Sequence, residues 1–153
     1  CHFISAMPTN LYGPHDNYDL KTSHVLPALL RKFIEAKSSH SDTVTLWGTG
    51  NPFREFMHVD DCADGCIFLM QNYDQEGHIN IGTGVDLRIK ELAAFIAELT
   101  GYEGKIVYDT SKPDGTPRKL MDVTKINQLG WKAQIDLKEG IKKVYEEVKG
   151  GGW

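Results

Sequence analysis

Arg54 is a candidate for holding an anion, because it lies among large apolar residues instead of a run of solvated charges. It falls within residues 53–59, a short segment whose alternating side chains predict an extended strand. A guanidinium is a planar fork of donors that fits either a carboxylate or a phosphate. Two interpretations follow: Arg54 forms an internal ion pair with Glu55 or Asp60, or it binds a ligand phosphate.

His24 is a candidate for proton transfer, because it stands where a helix is predicted to begin. From Ser23 onward apolar residues recur at helical spacing, and Pro27 falls in the first turn, where proline is tolerated. A helix N-terminus disfavours positive charge, so an imidazole there is kept neutral and can accept or pass a proton. The alternative is a histidine that only caps its helix or packs under the adjacent loop. Lys32, two turns later, lies outside the apolar stripe.

Residues 111–119 are predicted to form a rigid polar loop. Two prolines restrict the unfolded chain there, while charged residues such as Lys112 and Asp114 stay exposed. Loops of this kind are better suited to gripping a ligand than to filling space.

Periodicity and turn residues predict the elements that position these side chains. Thr43–Trp47 is β-branched and apolar, which favours a strand, and residues 48–52 carry the glycines and proline of a sharp turn. Further strands are predicted at 1–7, where the strand should be buried, at His78–Ile81 and at 105–108. Four further helices are predicted. The first begins after Asp60 as its cap, and the second runs from Ile89 to a stop at Gly101. The third runs from Asp122 or Thr124 to Gly130, and the fourth begins at Asp136. Short strands mixed with longer helices indicate the α/β class.

The cysteines indicate packing rather than disulfide or metal chemistry. Cys1, Cys62 and Cys66 are an odd number, and no secretory signal precedes them. Cys62 and Cys66 lie one helical turn apart, but no third or fourth metal ligand stands at suitable spacing. We therefore expect both to pack in the core, on a helix face that also carries Ala63, Ile67 and Met70.

Composition restricts the class of protein. At 153 residues and 41% hydrophobic composition the chain is long enough for one domain with a core. The formal charge of −4 argues against nucleic acid as the main partner. Neither a membrane span nor a secretion signal is present, so we expect a cytoplasmic protein. The chain opens without Met inside a predicted strand, so we expect a portion of a longer polypeptide, with one α/β region at 1–149 and a tail at 150–153.

Two glycine pairs do not carry a dinucleotide-binding fingerprint. Gly82-Thr-Gly84 has Leu87 where a third glycine is needed, and Gly48-Thr-Gly50 has Phe53. Both are predicted to be turns.

Five stretches resemble the extended short-chain dehydrogenase/reductases, and among them the GDP-sugar epimerase/reductases. They are Asn-Leu-Tyr-Gly-Pro at 10–14, Ser-His-Val-Leu-Pro-Ala-Leu-Leu-Arg at 23–31, Trp-Gly-Thr-Gly-Asn-Pro-Phe-Arg-Glu-Phe-Met-His-Val-Asp-Asp at 47–61, His-Ile-Asn-Ile-Gly-Thr-Gly at 78–84, and Ser-Lys-Pro-Asp-Gly-Thr-Pro-Arg-Lys at 111–119. The resemblance covers nearly the whole chain. It implies the C-terminal, substrate-binding portion of such an enzyme together with the last elements of its Rossmann domain.

The resemblance also implies an activity and its residues. It implies an NADP-dependent enzyme that epimerises C3 and C5 of GDP-4-keto-6-deoxy-D-mannose and reduces the C4 ketone to give GDP-L-fucose, acting as a homodimer when full length. His24 would contact the cofactor and act as a catalytic acid/base. The remaining roles, by matching positions, are cofactor binding by Pro8, Thr9, Asn10 and Leu11, and GDP-sugar binding by Lys32, Trp47, Arg54 and Asp114.

The chain also departs from the family pattern. Nothing in it matches the family's N-terminal Gly-rich loop, its catalytic Ser, its Tyr-x-x-x-Lys pair or its catalytic Cys, and Cys1 is placed too late to be that Cys. We therefore expect no turnover by this chain alone. Two alternatives stay open: a related enzyme acting on a UDP- or dTDP-sugar, and a non-catalytic homologue that binds NADP or a partner protein.

Overall fold

A computed structural model describes residues 3–151 and 153, so predictions about Cys1 and His2 lie outside the described part. In chain order the first elements are β1 (Ser5–Pro8), β2 (Asn10–Tyr12), α1 (Val25–Ser38), β3 (Thr43–Trp47), β4 (Phe53–His58) and α2 (Val59–Asn72). They are followed by β5 (His78–Ile81), β6 (Asp86–Arg88), α3 (Ile89–Thr100), β7 (Lys105–Asp109), β8 (Arg118–Lys119), α4 (Thr124–Gln128) and α5 (Leu137–Val148). This order confirms the α/β class.

Strand β4 organises the sheets. Its C-terminal half pairs with β2 in parallel, and its N-terminal half pairs with β6 antiparallel and with β8 in parallel. Two further parallel pairs, β1 with β5 and β3 with β7, form small sheets of their own. Strand β8 occupies the last two residues of the predicted 111–119 loop, so that loop is shorter than the sequence suggested. In the β4–β8 register Arg54 lies opposite Lys119.

Two hydrophobic clusters form the core. The larger packs α1, α3 and α5 together through fully buried side chains such as Leu30, Phe33, Ile96 and Ile141. The smaller surrounds the inner side of α2 and contains Met57, Leu69, Ile79, Ile126 and Trp131. Burying one such side chain stabilises a fold by about 1.5–3 kcal/mol. The two clusters lie on either side of the region where β2 meets β4.

The predicted inner face of α2 is wrong. Ala63, Cys66, Ile67 and Met70 are exposed, whereas Asp61, Cys62, Gly65 and Leu69 are buried. The expectation of core packing therefore holds for Cys62 and fails for Cys66. Hydrogen bonds made by two aspartates account for the difference. The Asp61 carboxylate accepts bonds from the Gln134 and Ile135 amides, and Asp64 accepts one from the Trp131 indole at 2.7 Å. These bonds dock the segment after α4 onto the side of α2 that periodicity assigned to solvent.

The predicted first strand and one helix cap also differ from the structure. Strand β1 is exposed over all four residues instead of buried, and β5 is the one strand of the described residues that pairs with it. The cap of α2 is His58 rather than Asp60, since its Nδ1 accepts the Asp60 amide at 3.2 Å. Asp60 itself lies in the first turn, where a negative charge suits the helix dipole.

The remaining helix ends agree with the prediction more closely. Gly101 ends α3 in the left-handed conformation, and the Asp136 side chain caps α5 by accepting two backbone amides. At the start of α4 the prediction was wrong, because the cap residue is Val123 rather than Asp122 or Thr124, although the Asp122 side chain accepts the Thr124 amide. Beyond α5, the Trp153 ring lies 5.9 Å from the Tyr18 ring and 5.4 Å from the Arg31 guanidinium carbon. In the described residues, no helix has the length and apolarity needed to cross a bilayer.

Candidate functional site

A cavity of about 810 Å³ opens where β1 and β2 meet. All five residues predicted for cofactor binding contribute to its lining: Pro8, Thr9, Asn10, Leu11 and His24. Val59 at the start of α2 and residues 119–121 after β8 complete the opposite wall. The lining mixes apolar surface with a few polar groups, which is typical of cofactor and ligand cavities.

The backbone along this cavity is held in place by β4 and β5. The Asn10 side-chain amide donates to the Glu55 carbonyl at 2.7 Å, and the Thr9 amide donates to the Ile81 carbonyl at 3.0 Å. Both bonds come from residues that begin β2 or precede it, so the strand-to-strand connection has a fixed shape. A fixed wall of this kind can position a bound ring without reordering.

His24 is placed at the N-terminal cap position of α1, with an extended backbone. Its imidazole makes no capping bond, and the residue is exposed toward the cavity. His24 therefore occupies the cap position through its backbone alone, and its side chain is not packed in the core. The ring remains available to a ligand in the cavity.

Glu55 is the centre of a buried polar cluster that we call the Glu55 centre, made of Glu55, Thr83, Gly84 and Met121. Glu55 is 0% exposed. One carboxylate oxygen accepts the Thr83 and Gly84 amides at 2.6 and 2.8 Å, and the other accepts the Met121 amide at 2.8 Å. The carboxylate thus ties the turn after β5 and the segment after β8 to β4. A side chain at Gly82 would collide with it.

Sequence reasoning missed the Glu55 centre. It considered Glu55 only as a possible partner for Arg54. The available signal was a carboxylate between apolar side chains of a strand, because a buried charge needs several donors. The donors lie 28 and 66 residues away along the chain, so spacing did not indicate which groups they were.

Arg54 does not form either internal ion pair that the sequence allowed. Within the described residues it makes no salt bridge: Glu55 bonds backbone amides, and Asp60 lies 3.5 Å from His58. The Arg54 guanidinium donates to the Phe53 carbonyl at 2.6 Å and is half-buried. Its far end lies beside the 111–117 loop, since a Cβ built on Gly115 would be 3.8 Å from Arg54 Nη2. Most of the fork is left for a ligand.

Trp47 is the exposed aromatic ring of this region, with 68% of its surface accessible. The Lys32 ammonium lies 6.0 Å from its ring and donates to the Thr45 carbonyl at 3.0 Å. Burial lowers the pKa of Lys32. The Lys112 ammonium lies 5.7 Å from the same ring. Helix α1, strand β3 and the loop after β7 therefore bring two cations to one exposed indole.

Asp114 fastens the loop after β7 to the turn after β3. Its carboxylate accepts the Thr49 amide at 2.6 Å and the Thr49 hydroxyl at 2.7 Å, and these two bonds lower the pKa of Asp114. Gly48 has φ of +75°, and a side chain there would collide with Asp114. The predicted substrate ligand Asp114 is thus already bonded to the protein, and two of its four lone-pair sites remain.

The predicted GDP-sugar residues lie together around one loop. We call this region the Trp47 surface, and it consists of Lys32, Trp47, Arg54, Lys112 and Asp114. Strand β8 links it to the cavity, because Lys119 lies opposite Arg54 and also lines the cavity wall. Among the described residues, no group of three His, Cys, Asp or Glu side chains is placed to share a metal ion.

Comparisons with known proteins show what the chain is similar to. The model of the NAD dependent epimerase/dehydratase family matches residues 1–82. A probable GDP-L-fucose synthase 1 of rice is 58% identical over 94% of this chain and 44% of its own length, and the GDP-L-fucose synthase of Escherichia coli K12 is 52% identical over 94% and 48%. A solved GDP-L-fucose synthetase of Naegleria fowleri bound to NADP superposes with a TM-score of 0.89 at 32% identity, over 95% of this chain and 46% of that one. The chain spans about half the length of the curated relatives it matches.

Proposed function

The chain belongs to the NAD dependent epimerase/dehydratase family, and from that premise we propose that it forms the substrate-binding half of an enzyme that makes GDP-L-fucose. The substrate would be GDP-4-keto-6-deoxy-D-mannose, epimerised at C3 and C5 and reduced at C4. The observation that carries this proposal is the identity of 52–58% to GDP-L-fucose synthases of E. coli and rice over 94% of the chain. The geometry of the cavity and of the Trp47 surface supports it.

The cofactor in this proposal is NADP, with its nicotinamide end along residues 8–11. The cavity fits such a group, since its volume of about 810 Å³ is lined by apolar side chains and by the polar Thr9, Asn10 and His24. When bound in reduced form, the cofactor supplies the hydride for the C4 ketone. The role of this chain is to hold the ring against the fixed wall between β1 and β2.

His24 is the acid/base of the proposed epimerisation. Protons at C3 and C5 lie beside a ketone, so inversion requires a group that removes a proton and one that returns it from the opposite face. His24 lines the cavity from the N-terminal end of α1. An imidazole can both accept and donate a proton, so it can perform either half of that exchange.

The nucleotide end is assigned to the Trp47 surface. Trp47 offers a stacking face, Arg54 a fork for the diphosphate, and Lys32 a positive charge nearby. Asp114 retains lone pairs that can accept from a substrate hydroxyl or a base N–H. Its main structural effect is to fix the loop that borders the site.

A His24→Asn variant of the complete protein tests the proposal. Exchange of solvent deuterium into C3 and C5 should slow by about a hundred- to ten-thousandfold, the usual contribution of a positioned acid/base. Thermal unfolding should stay near normal, because the imidazole makes no capping bond. NADPH affinity should change little, because asparagine keeps a polar side chain at this position of the cavity lining. His78→Asn, at another exposed histidine, is the matched control. Wild-type exchange in His24→Asn would remove His24 from the mechanism.

Nucleotide protection separates this enzyme from its alternatives. GDP should raise the unfolding temperature of the complete protein more than UDP or dTDP does. A preference for UDP or dTDP would instead favour a related epimerase or dehydratase, and NADP binding without any nucleotide-sugar binding would favour a non-catalytic homologue. The 153-residue chain alone should not oxidise NADPH, because nothing in it matches the family's N-terminal Gly-rich loop. The homodimer and the cytoplasmic location stay predictions.

A further inference from the structure

Lys112 is the one member of the Trp47 surface whose charged end has no hydrogen bond or ion pair within the described residues. Its ammonium lies 5.7 Å from the Trp47 ring. Lys32, by contrast, bonds to the Thr45 carbonyl, and Arg54 bonds to the Phe53 carbonyl. The carboxylate that Lys112 influences is Asp109, whose pKa is lowered chiefly by bonds from Ser111 and less by Lys112.

The loop holds Lys112 beside Trp47 by several bonds. Trp47 pairs with Asp109 in the β3–β7 register, and the Asp109 carbonyl accepts the Lys112 amide at 3.2 Å and the Gly48 amide at 2.9 Å. Two residues later, Asp114 is bonded to Thr49. The backbone of Lys112 is therefore fastened on both sides to the turn that follows Trp47. This placement differs from that of a lysine on a free loop.

We propose that Lys112 reads the base of the bound nucleotide by donating hydrogen bonds to O6 and N7 of a guanine stacked on Trp47. This inference rests on the proposed function. A base that stacks on the exposed indole brings its edge to the groups around that ring. An ammonium has three donors and no acceptor, so it suits an edge that carries two acceptors. Guanine presents O6 and N7 there, whereas adenine replaces O6 with an amino donor.

The position of Arg54 supports this division of roles. Its guanidinium lies toward Gly115, beyond the Asp114 bonds to Thr49, and it carries the fork that fits a diphosphate. Lys32 has one donor committed to the Thr45 carbonyl. Lys112 is thus the cation next to the aromatic ring with all of its donors free. The contact between its ammonium and an exposed ring is weak and is easily exchanged for bonds to a base.

A Lys112→Met variant of the complete protein tests the inference through three nucleotides. Calorimetric titration with GDP, IDP and ADP separates the base edge from the diphosphate, because IDP keeps O6 and N7 and all three share the diphosphate. GDP and IDP should each bind about tenfold more weakly in Lys112→Met, whereas ADP, which keeps N7 but lacks O6, should lose clearly less affinity. Lys112→Arg should retain the preference for GDP over ADP, since arginine also donates to O6 and N7.

Lys143→Met is the matched control, because Lys143 is an exposed lysine on α5 whose ammonium has no hydrogen bond or ion pair in the described part of the chain. It should leave all three affinities unchanged. An equal loss for GDP, IDP and ADP in Lys112→Met would overturn the inference and assign Lys112 to the diphosphate, and no loss would also overturn it. Either result would leave the proposed function standing. A wild-type protein that binds none of the three would overturn the proposed function itself.

Discussion

Glu55 and Arg54 are neighbours on β4, yet their charged groups differ in how many partners the protein supplies to each. The Glu55 carboxylate is fully buried and accepts three backbone amides from two distant segments. The Arg54 guanidinium makes one bond to a carbonyl and no ion pair within the described chain. A charged group whose partners all come from the protein stabilises the folded chain. A charge left with free donors is available to a ligand.

The same contrast extends to the residues around each charge. In the Glu55 centre three of the donors are backbone amides, which are fixed by the chain, and glycine at 82 leaves the room that the carboxylate needs. In the Trp47 surface the cationic groups are long lysine and arginine side chains, whereas the Asp114 carboxylate is bonded to Thr49. Substitution of Glu55 should therefore change stability, substitution of the cations should change binding, and Asp114 should resemble Glu55 with a smaller effect.

Glu55→Ala should have the largest effect on stability. It leaves three half-buried amides without their acceptor, and each unsatisfied buried group costs about 1–3 kcal/mol. We expect a loss of about 3–5 kcal/mol in the free energy of unfolding, measured with denaturant on the complete protein. The free energy of unfolding of Glu55→Gln should lie between those of the wild type and Glu55→Ala, because one oxygen remains as an acceptor. Glu76→Ala, on the exposed surface, is the control, and a similar small loss in both alanine variants would remove the contrast.

Arg54→Ala should weaken GDP binding by about ten- to a hundredfold while stability stays near that of the wild type. A charge-assisted bond contributes about 1.5–3 kcal/mol, and the fold draws only one carbonyl bond from this side chain. Titration of the complete protein with GDP measures the change. Arg54→Lys keeps the charge without the fork and should recover part of the affinity. An unchanged affinity in Arg54→Ala would place Arg54 with Glu55 as a structural residue.

Of the three variants, Asp114→Asn should have the smallest effect, which is a loss of thermal stability that depends on pH. The Thr49 bonds lower the pKa of Asp114 from its ordinary value of 3.8, so the ionised carboxylate stabilises the folded state. A group whose pKa is lowered by folding contributes above its unfolded pKa, and the contribution is lost as pH falls through the folded pKa. Thermal melts should thus separate wild type from Asp114→Asn at pH 7 and converge below about pH 3.8. A gap that stays constant into acid would exclude the carboxylate as the cause.

Side-chain type and spacing predicted the helices and the longer strands, but not the short strands β2, β6 and β8. Strands such as Thr43–Trp47 and His78–Ile81, and the helix stop at Gly101, followed from side-chain type and spacing. Each depends on neighbours within a few residues, so local propensity and periodicity are sufficient to predict it. The motifs likewise grouped Pro8–Leu11 and His24 as predicted cofactor-binding residues, and these residues line one cavity.

Which polar groups bond to each other depends on the tertiary structure. The buried side of α2 was set by bonds from Asp61 to amides 73 and 74 residues away, against the apolar periodicity of the helix itself. The Thr49 bonds of Asp114 span 65 residues. The partners of Glu55, and the lack of any ion partner for Arg54 in the described residues, depended in the same way on distant segments. A buried carboxylate requires donors, but it accepts them from whichever backbone the fold brings near, and sequence spacing does not record that choice.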